Sequence, residues 1–245
     1  MKKVLLIIPA YNEETNILNV CSEIEDYKKK PGNNSAFSLD YVVINDGSSD
    51  STEKICLQNG IPVISLANNL GIGGAVQTGY KYAYLVGYDV AVQFDGDGQH
   101  DIDSLEKLVV PVLNGEADMT VGSRFVENTE TDNFQSTFMR RIGIRFLSGI
   151  IYMVSHLRIK DCTSGFRAAN KSVIEFFSKD YPFDYPEPES LVNVAKRKLR
   201  CIEIPVHMRE RSGGKSSIRA WKSVYYMIKV TLAILIAGIQ KKEVR

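Results

Sequence analysis

Short apolar runs rich in β-branched residues recur along the chain and alternate with segments of helical length. This alternation predicts an α/β fold, in which a largely parallel sheet is covered by helices on both faces. Ligands of such sheets bind beyond the carboxyl ends of the strands, near the point where the strand order reverses. The expected strands are residues 4–9, 41–46, 62–66, 90–95, 118–122 and 201–206, and the expected helices include 13–29, 50–59, 73–87 and 103–114.

Composition narrows the class of protein. A chain of 245 residues with 44% hydrophobic and 24% charged content suits one globular α/β domain with extensions. Its formal net charge is only +1, so no overall field attracts nucleic acid. Four scattered cysteines without a CxxC pair favour reduced thiols and a cytoplasmic location. The first apolar run stops at Pro9 and is followed by acidic residues, which predicts a buried strand and not a signal peptide.

The stretch QFDGDGQHD, residues 93–101, has the strongest pattern of ligand-binding residues. Asp95, Asp97 and Gln99 alternate with glycines at the end of the expected fourth strand. In an extended segment, side chains two residues apart point to the same face, so the carboxylates of Asp95 and Asp97 can converge on one cation. Oxygen ligands favour Mg²⁺ or Mn²⁺, which keep some waters and are shared with substrate phosphates. On this stretch alone, an ordinary Asp-Gly turn is the alternative.

Other polar groups follow the first two expected strands. Tyr11, Asn12 and Glu13 follow the first strand and Asp46 follows the second. Asp46 could accept hydrogen bonds from the hydroxyls of a nucleoside, or it could cap its own turn. The glycine-rich residues 68–80 begin a helix whose amides favour a phosphate, although they match neither the P-loop nor the dinucleotide signature.

Two basic motifs lie in the second half of the chain. DCTSGFR ends in Arg167, and RERSGGKSS carries Arg211 and Lys215 around a Gly-Gly pair. Arginine and lysine side chains on such a loop can clamp a diphosphate and offset the charge of a departing one. A solvated loop with scattered charges is the alternative.

The roles of two glutamates and one histidine stay open. Glu187 and Glu189 stand at the start of an expected helix, where the helix dipole favours acids in any case, so position alone does not identify a catalytic base. His100 follows the acidic cluster and could either support it or act on the acceptor side.

The C-terminal part of the chain is more apolar. Residues 138–157 predict a long helix, and residues 219–245 predict another that ends in a basic cluster. The apolar part at 230–239 is about half of the roughly 20 residues that a spanning helix needs. This helix therefore either packs on the core or on another subunit, or lies in the interface of a membrane.

Eight motifs, taken in order along the chain, resemble those of the family 2 glycosyltransferases. They are PAYNEE, VINDGSSDST, NLGIGGAVQTGY, FDGDGQHD, DCTSGFR, a Glu-bearing helix, EIPV and RSGGKSS. The similarity is strongest to the subgroup that includes dolichyl-phosphate mannose synthase and bacterial polyprenyl-phosphate sugar transferases. It implies a GT-A domain over residues 1–218, with a nucleotide-sugar-binding half (1–122) and an acceptor half (123–218), followed by the helix in 219–245.

The resemblance also implies a role for each matching residue. The residues expected to bind the nucleotide sugar are Pro9, Tyr11, Glu13, Asp46, Gly71, Asp95 and Lys215. The expected ligands of Mg²⁺ or Mn²⁺ are Asp95, Asp97 and Gln99. The residues expected to act in catalysis are Asp97, Arg167, Glu189 and Arg211. Arg167 would face the reaction centre, and Glu189 is at the position of the family's helix glutamate. Arg211 would bind the diphosphate together with Lys215.

The implied activity is inverting, metal-dependent transfer of a sugar from a nucleotide-diphosphate donor to a polyprenyl phosphate or a lipid-linked or cell-surface glycan. A polyprenyl phosphate is already ionised, whereas a sugar hydroxyl needs a carboxylate within about 3 Å, from Glu189 or Glu187. The expected location is the cytoplasmic face of a membrane, bound peripherally, with a second copy or a small membrane protein as the partners considered. The alternatives are a soluble transferase acting on a glycan hydroxyl and a nucleotide-diphosphate-binding scaffold that needs a partner protein.

Overall fold

A computed structural model describes residues 1–30, 36–125, 138–209 and 220–240, the side chains of 138–140 and 220–224 excepted. Seven strands and eight α-helices lie within these ranges. The strands are β1 (Lys2–Ala10), β2 (Phe37–Asn45), β3 (Val63–Ser65), β4 (Val90–Gln93), β5 (Met119–Ser123), β6 (Arg167–Asn170) and β7 (Cys201–Pro205). The helices are α1 (Ile17–Lys29), α2 (Thr52–Gln58), α3 (Gly71–Val86), α4 (Leu105–Leu113), α5 (Phe138–Ser155), α6 (Lys171–Lys179), α7 (Pro186–Lys196) and α8 (Ala220–Ile239).

The strands form one sheet in the order β3-β2-β1-β4-β6-β5-β7. β1 to β4 are parallel, β6 is antiparallel to both of its neighbours, and β7 is parallel to β5. The predicted α/β fold with a mostly parallel sheet is confirmed, and all six expected strands are present. β6 was not among them, because its sequence RAAN contains none of the β-branched residues that mark the other strands.

Two apolar layers cover the sheet, one on each face. Leu5 and Ile7 of β1 pack in the layer formed with α3, α5, α6, α7 and α8. Val4, Leu6 and Ile8 pack in the opposite layer, formed with α1, α2 and α4. Successive side chains of a strand point to opposite faces, so a strand buried on both sides is apolar throughout. This explains the uninterrupted run VLLII.

The strand order reverses between β1 and β4, because the chain builds β2 and β3 on one side of β1 and then resumes on the other. At this point the residues that follow β1 and β2 are Tyr11 and Asp46, and Asp95 follows β4 by two positions. A ligand site is expected here in an open α/β sheet.

The C-terminal helix α8 buries one face in the domain. Val230, Ile234 and Ala237 belong to the same apolar layer as Leu5 and Ile7 of β1. Lys196 of α7 donates to the carbonyls of Ala237 and Gly238 at distances of 2.9 and 2.8 Å, as cations commonly do at helix C-termini. Within the described ranges, none of the helices combines the length and the apolarity that crossing a membrane requires. The basic cluster at 241–245 lies outside the described residues.

A buried ion pair joins β5 to the DCTSGFR segment. Nε and Nη2 of Arg124 each donate to the Asp161 carboxylate at 2.7 Å, and the Asp161 side chain is 0% exposed. Glu203 of β7 accepts from the backbone amides of Lys160 and Asp161, both at 2.8 Å. The pair thereby fixes the segment that leads into β6.

We expect Asp161→Asn to lower the free energy of unfolding by about 3–5 kcal/mol, because it leaves the Arg124 charge buried without its counter-charge. Urea denaturation followed by circular dichroism measures the change. The matched control is Lys179→Met, which removes an exposed pair with Glu175 at 2.7 Å and should leave the free energy of unfolding almost unchanged. Equal losses in the two variants would contradict the assignment.

Candidate active site

The acidic segment forms a turn beyond the end of β4. The strand ends at Gln93, and the chain bends at residues 96–98, where Gly98 has a φ of +78°. The segment is a turn, the alternative that the sequence left open, because glycine allows the left-handed conformation that turns the chain. The Oδ1 atom of Asp97 accepts from the backbone amide of Gln99 at 3.1 Å. The three expected metal ligands thus share one turn, in which each is partly exposed.

Buried groups on three sides orient the carboxylate of Asp95. Gln93 Nε2 donates to Oδ1 at 3.3 Å, and His100 Nε2 lies 3.4 Å from Oδ2. A Cβ atom on Gly165 would lie 3.0 and 3.2 Å from the two oxygens, so the backbone of Gly165 forms the third wall. Gln93 and His100 are only 1% and 3% exposed. The orientation of Asp95 is therefore set by the fold, and Gln93 is a residue that sequence analysis missed.

The tautomer of His100 follows from its hydrogen bond. Its Nδ1 atom accepts from the backbone amide of Asp95 at 2.9 Å, so the proton of the neutral ring is on Nε2, which faces the Asp95 carboxylate. The ring stacks on Phe166 at 4.7 Å and meets the edge of Phe94 at 5.5 Å. Of the two roles left open by the sequence, the structure favours support of the acidic cluster.

The oxygen donors of Asp95, Asp97 and Gln99 fit a hard divalent cation such as Mg²⁺ or Mn²⁺. Within the described ranges, three or more His, Cys, Asp or Glu side chains are nowhere grouped so that they could hold a metal ion. An ion at Asp95, Asp97 and Gln99 would take its remaining ligands from water and substrate phosphate oxygens, as is usual for Mg²⁺ at phosphate sites.

Arg167 lies in the wall behind the site, 1% exposed. Its guanidinium makes four hydrogen bonds to protein oxygens, at distances of 2.7–3.1 Å. These bonds hold the guanidinium against the protein, and the expectation that Arg167 faces the reaction centre stays a prediction. Burial raises the pKa of Glu187, and the positive charge of Arg167 partly opposes this rise.

The two candidate bases lie on different faces of α7. Glu187 bonds the side chain of Gln93, and its pKa is raised mainly by burial and further by the charge of Asp95. Glu189 is about 200° away around the helix. It lines a cavity of about 440 Å³ between α7 and α8, with Tyr181 and Lys229 among its neighbours. Glu187 is thus the carboxylate that adjoins the acidic turn, whereas the catalytic role of Glu189 stays a prediction.

Two of the acids expected to bind the nucleoside already bond to the protein. Asp46, 3% exposed, accepts from the backbone amide of Leu70 at 2.7 Å, so it fixes the loop before α3. Burial raises its pKa, while the backbone hydrogen bonds lower it. Glu13 accepts from the side chain of Asn16 at 2.7 Å. A direct contact of either acid with a nucleoside stays a prediction.

The remaining nucleoside residues border the same place. Tyr11 is half exposed. Pro9 is buried in β1, and its carbonyl oxygen is 3.1 Å from where a Cβ atom on Gly96 would lie. Gly71 begins α3 at a φ of +77° and has open space beside it. Their contacts with a nucleotide also stay predictions.

Arg211 and Lys215 lie outside the described residues. The described part before them ends at Arg209, whose backbone amide donates to Gln99 at 2.8 Å. The Arg209 guanidinium bonds Glu23 of α1 at 2.8 Å and Asp101 at 2.9 Å. Arg209, the first residue of RERSGGKSS, thus holds the start of this motif against the acidic turn.

The sequence profile described as Glycosyl transferase family 2 matches residues 5–215. The chain belongs to this family. It is 33% identical over 224 residues to the UDP-N-acetylglucosamine–dolichyl-phosphate N-acetylglucosaminyltransferase of Methanococcus voltae, covering 84% of this chain and 85% of the relative. It is 27% identical over 249 residues to the polyprenol monophosphomannose synthase of Mycolicibacterium smegmatis, covering 94% of this chain and 86% of the relative. The predicted family and subgroup are confirmed, and the protein is a glycosyltransferase.

A solved structure supports the fold of this family 2 glycosyltransferase. Glucosyl-3-phosphoglycerate synthase from Mycobacterium tuberculosis, in complex with Mn²⁺, UDP and phosphoglyceric acid, superposes with a TM-score of 0.63 at 17% identity, covering 99% of this chain and 80% of that one. Identity this low shows the fold alone. The predicted GT-A fold is confirmed.

We expect Gly165→Ala to weaken Mn²⁺ binding at least tenfold, because the new Cβ would lie 2.8 Å from Gln93 Nε2 and 3.0 Å from an Asp95 oxygen and so displace the Asp95 carboxylate. Calorimetric titration of Mn²⁺ in the presence of UDP measures the affinity. The control is Gly149→Ala in α5, where a Cβ meets nothing within 4 Å, and where alanine should stabilise the helix by about 0.5–1 kcal/mol. Unchanged affinity in Gly165→Ala would show that Asp95 does not bind the ion.

Proposed function

We propose that this glycosyltransferase transfers a sugar, with inversion at the anomeric carbon, from a nucleoside diphosphate to a polyprenyl phosphate at the cytoplasmic face of a membrane. The observation that carries the proposal is the acidic turn at the end of β4, which lies at the reversal of strand order and whose Asp95 is oriented by Gln93 and His100. The relatives named as acting on dolichyl phosphate and polyprenol support the lipid acceptor.

On this proposal the protein prepares the donor site before the donor arrives. Asp95, Asp97 and Gln99 would hold Mg²⁺ or Mn²⁺, which would offset the negative charge that develops on the departing diphosphate. Gln93 and His100 keep the Asp95 carboxylate in place, so that little reorganisation accompanies binding. In the same proposal, Pro9, Tyr11, Glu13, Asp46 and Gly71 contact the nucleotide, and Arg211 and Lys215 the diphosphate.

The acceptor decides whether a base is needed. A phosphate oxygen of the lipid forms the new bond to the anomeric carbon from the face opposite the diphosphate, whose bond to that carbon breaks. This oxygen is already ionised at neutral pH, so no proton has to leave it. A glycan hydroxyl would instead have to give its proton to a carboxylate, and Glu187 is the one that adjoins the acidic turn. The two acceptors therefore make different demands on Glu187.

We expect Glu187→Gln to keep transfer to a short-chain polyprenyl phosphate within about tenfold of the wild-type kcat, because general-base catalysis, worth about 10²- to 10⁴-fold, is not required there. The assay uses a panel of UDP-, GDP-, dTDP- and CDP-sugars with Mn²⁺ or Mg²⁺. Glu175→Gln, at an exposed glutamate of α6, is the matched control. A loss above a hundredfold in Glu187→Gln alone, or no wild-type transfer with any donor, would contradict the lipid phosphate acceptor.

We expect Asp97→Asn to lower kcat at least about a hundredfold, since it removes a negative charge from the metal site and with it a few kcal/mol of transition-state stabilisation. The side chain is partly exposed and the amide has nearly the same shape, so the melting temperature should hardly change. Rates are compared with those of the wild type in EDTA, which should fall likewise. Full activity of the variant in EDTA would rule out the metal assignment.

A further inference from the structure

Helices α5 and α8 lie side by side and run in the same direction. A Cβ atom on Gly143 of α5 would lie 3.4 Å from Met227 Sδ of α8, and one on Gly238 of α8 would lie 2.8 Å from Val154 Cβ of α5. The two contacts are equally far apart along both helices, which makes the helices parallel over about three turns. At the second contact the helices are close enough that a Cβ atom on Gly238 would overlap Val154.

One side of this helix pair packs on the domain core, through residues such as Leu147 of α5 and Val230 of α8. The other side is exposed and apolar. Viewed along the helix axes, Phe146 is rotated about 60° around α5 from Gly143. Ile228 is rotated about 100° around α8 from Met227, in the opposite direction. In parallel neighbours, opposite rotations from the contact line point to the same side. The two sets of exposed side chains therefore form one surface.

We call this surface the two-helix face. Its members on α5 are Ile142, Phe146 and Met153, and those on α8 are Tyr225, Ile228, Leu232, Ile236 and Ile239, with exposed fractions between 45% and 81%. Large apolar side chains gathered on one surface, unlike single exposed ones, mark an interaction site.

Charge identifies the partner of the two-helix face. The sequences of α5 and α8 contain no aspartate or glutamate. Arg141 and Arg145 are exposed along the outer edge of α5, beside Ile142, whereas Lys229 of α8 is paired with Asp184 at 2.6 Å, so the arginines supply the basic border of the face. An apolar surface bordered by basic side chains matches the interface of an anionic membrane, where apolar groups enter the acyl boundary and cations meet the headgroups.

We propose that the two-helix face lies in the interface of an anionic membrane and holds the enzyme there. The inference rests on the proposed function, which places the polyprenyl chain of the acceptor in the same membrane. It extends the sequence-based prediction in two ways: α5 contributes to the surface together with the C-terminal helix, and the basic edge includes Arg141 and Arg145 of α5.

The test is flotation with vesicles of phosphatidylcholine and phosphatidylglycerol at low salt. Phe146→Glu/Leu232→Glu places two negative charges on the two-helix face and should reduce vesicle binding at least tenfold. The matched control is Leu57→Glu/Leu85→Glu, which changes two helical leucines that are 65% and 81% exposed on α2 and α3. The control should bind vesicles as the wild type does, and both double variants should keep wild-type affinity for Mn²⁺ and nucleotide sugar.

The contribution of charge has its own variant. Arg145→Gln should weaken vesicle binding at low salt but not at about 1 M salt, where the Debye length is only about 3 Å. No wild-type binding to vesicles, or equal loss in both double variants, overturns the proposal. So does a wild-type dimer in lipid-free solution that Phe146→Glu/Leu232→Glu dissociates, because a second copy then covers the face. Vesicle binding without transfer to polyprenyl phosphate would leave the face in place and refute the proposed acceptor.

Discussion

The buried guanidinium of Arg167, at the start of β6, holds together residues 162–164 and the first turns of α7. Its hydrogen bonds end on the carbonyls of Cys162, Ser164 and Glu187 and on the hydroxyl of Ser190. A buried charge lacking such partners would be strongly destabilising, so one arrangement of loop, strand and helix is selected. The loop then reaches Asp95 through Gly165, and the first turn of α7 reaches Gln93 through Glu187. A residue with almost no access to solvent thus sets the shape of the acidic turn.

Much of this architecture could be predicted from the sequence, because its causes are local. A strand buried on both faces needs an apolar, β-branched run, and residues 4–9 and 41–46 show one. Polar residues directly after such runs then fall at one edge of a parallel sheet, which placed Asp46 and Asp95 correctly. The same logic failed for β6, which is held between β4 and β5 by ladder hydrogen bonds and not by its own residue preferences.

The parts that could not be predicted depend on contacts between distant residues. Which face Glu187 and Glu189 present depends on where α7 begins, and the helix begins at Pro186 after Tyr185 in the left-handed conformation. The support that His100 gives to Asp95 depends on a ring stack with Phe166, 66 positions along the chain from it. Neither the hydropathy pattern nor the residue spacing carries that information.

Helix α7 connects the acidic turn to the two-helix face. Its first turn places Glu187 against Gln93, and at its last turn Lys196 bonds the C-terminal carbonyls of α8. With 11 residues the helix is about 16 Å long, so it keeps the two surfaces at a fixed separation. Under the proposed function, a lipid phosphate has to rise by a set distance from the interface to reach the anomeric carbon. The membrane would then take part in positioning the acceptor, since an enzyme held at one depth meets the phosphate at one height.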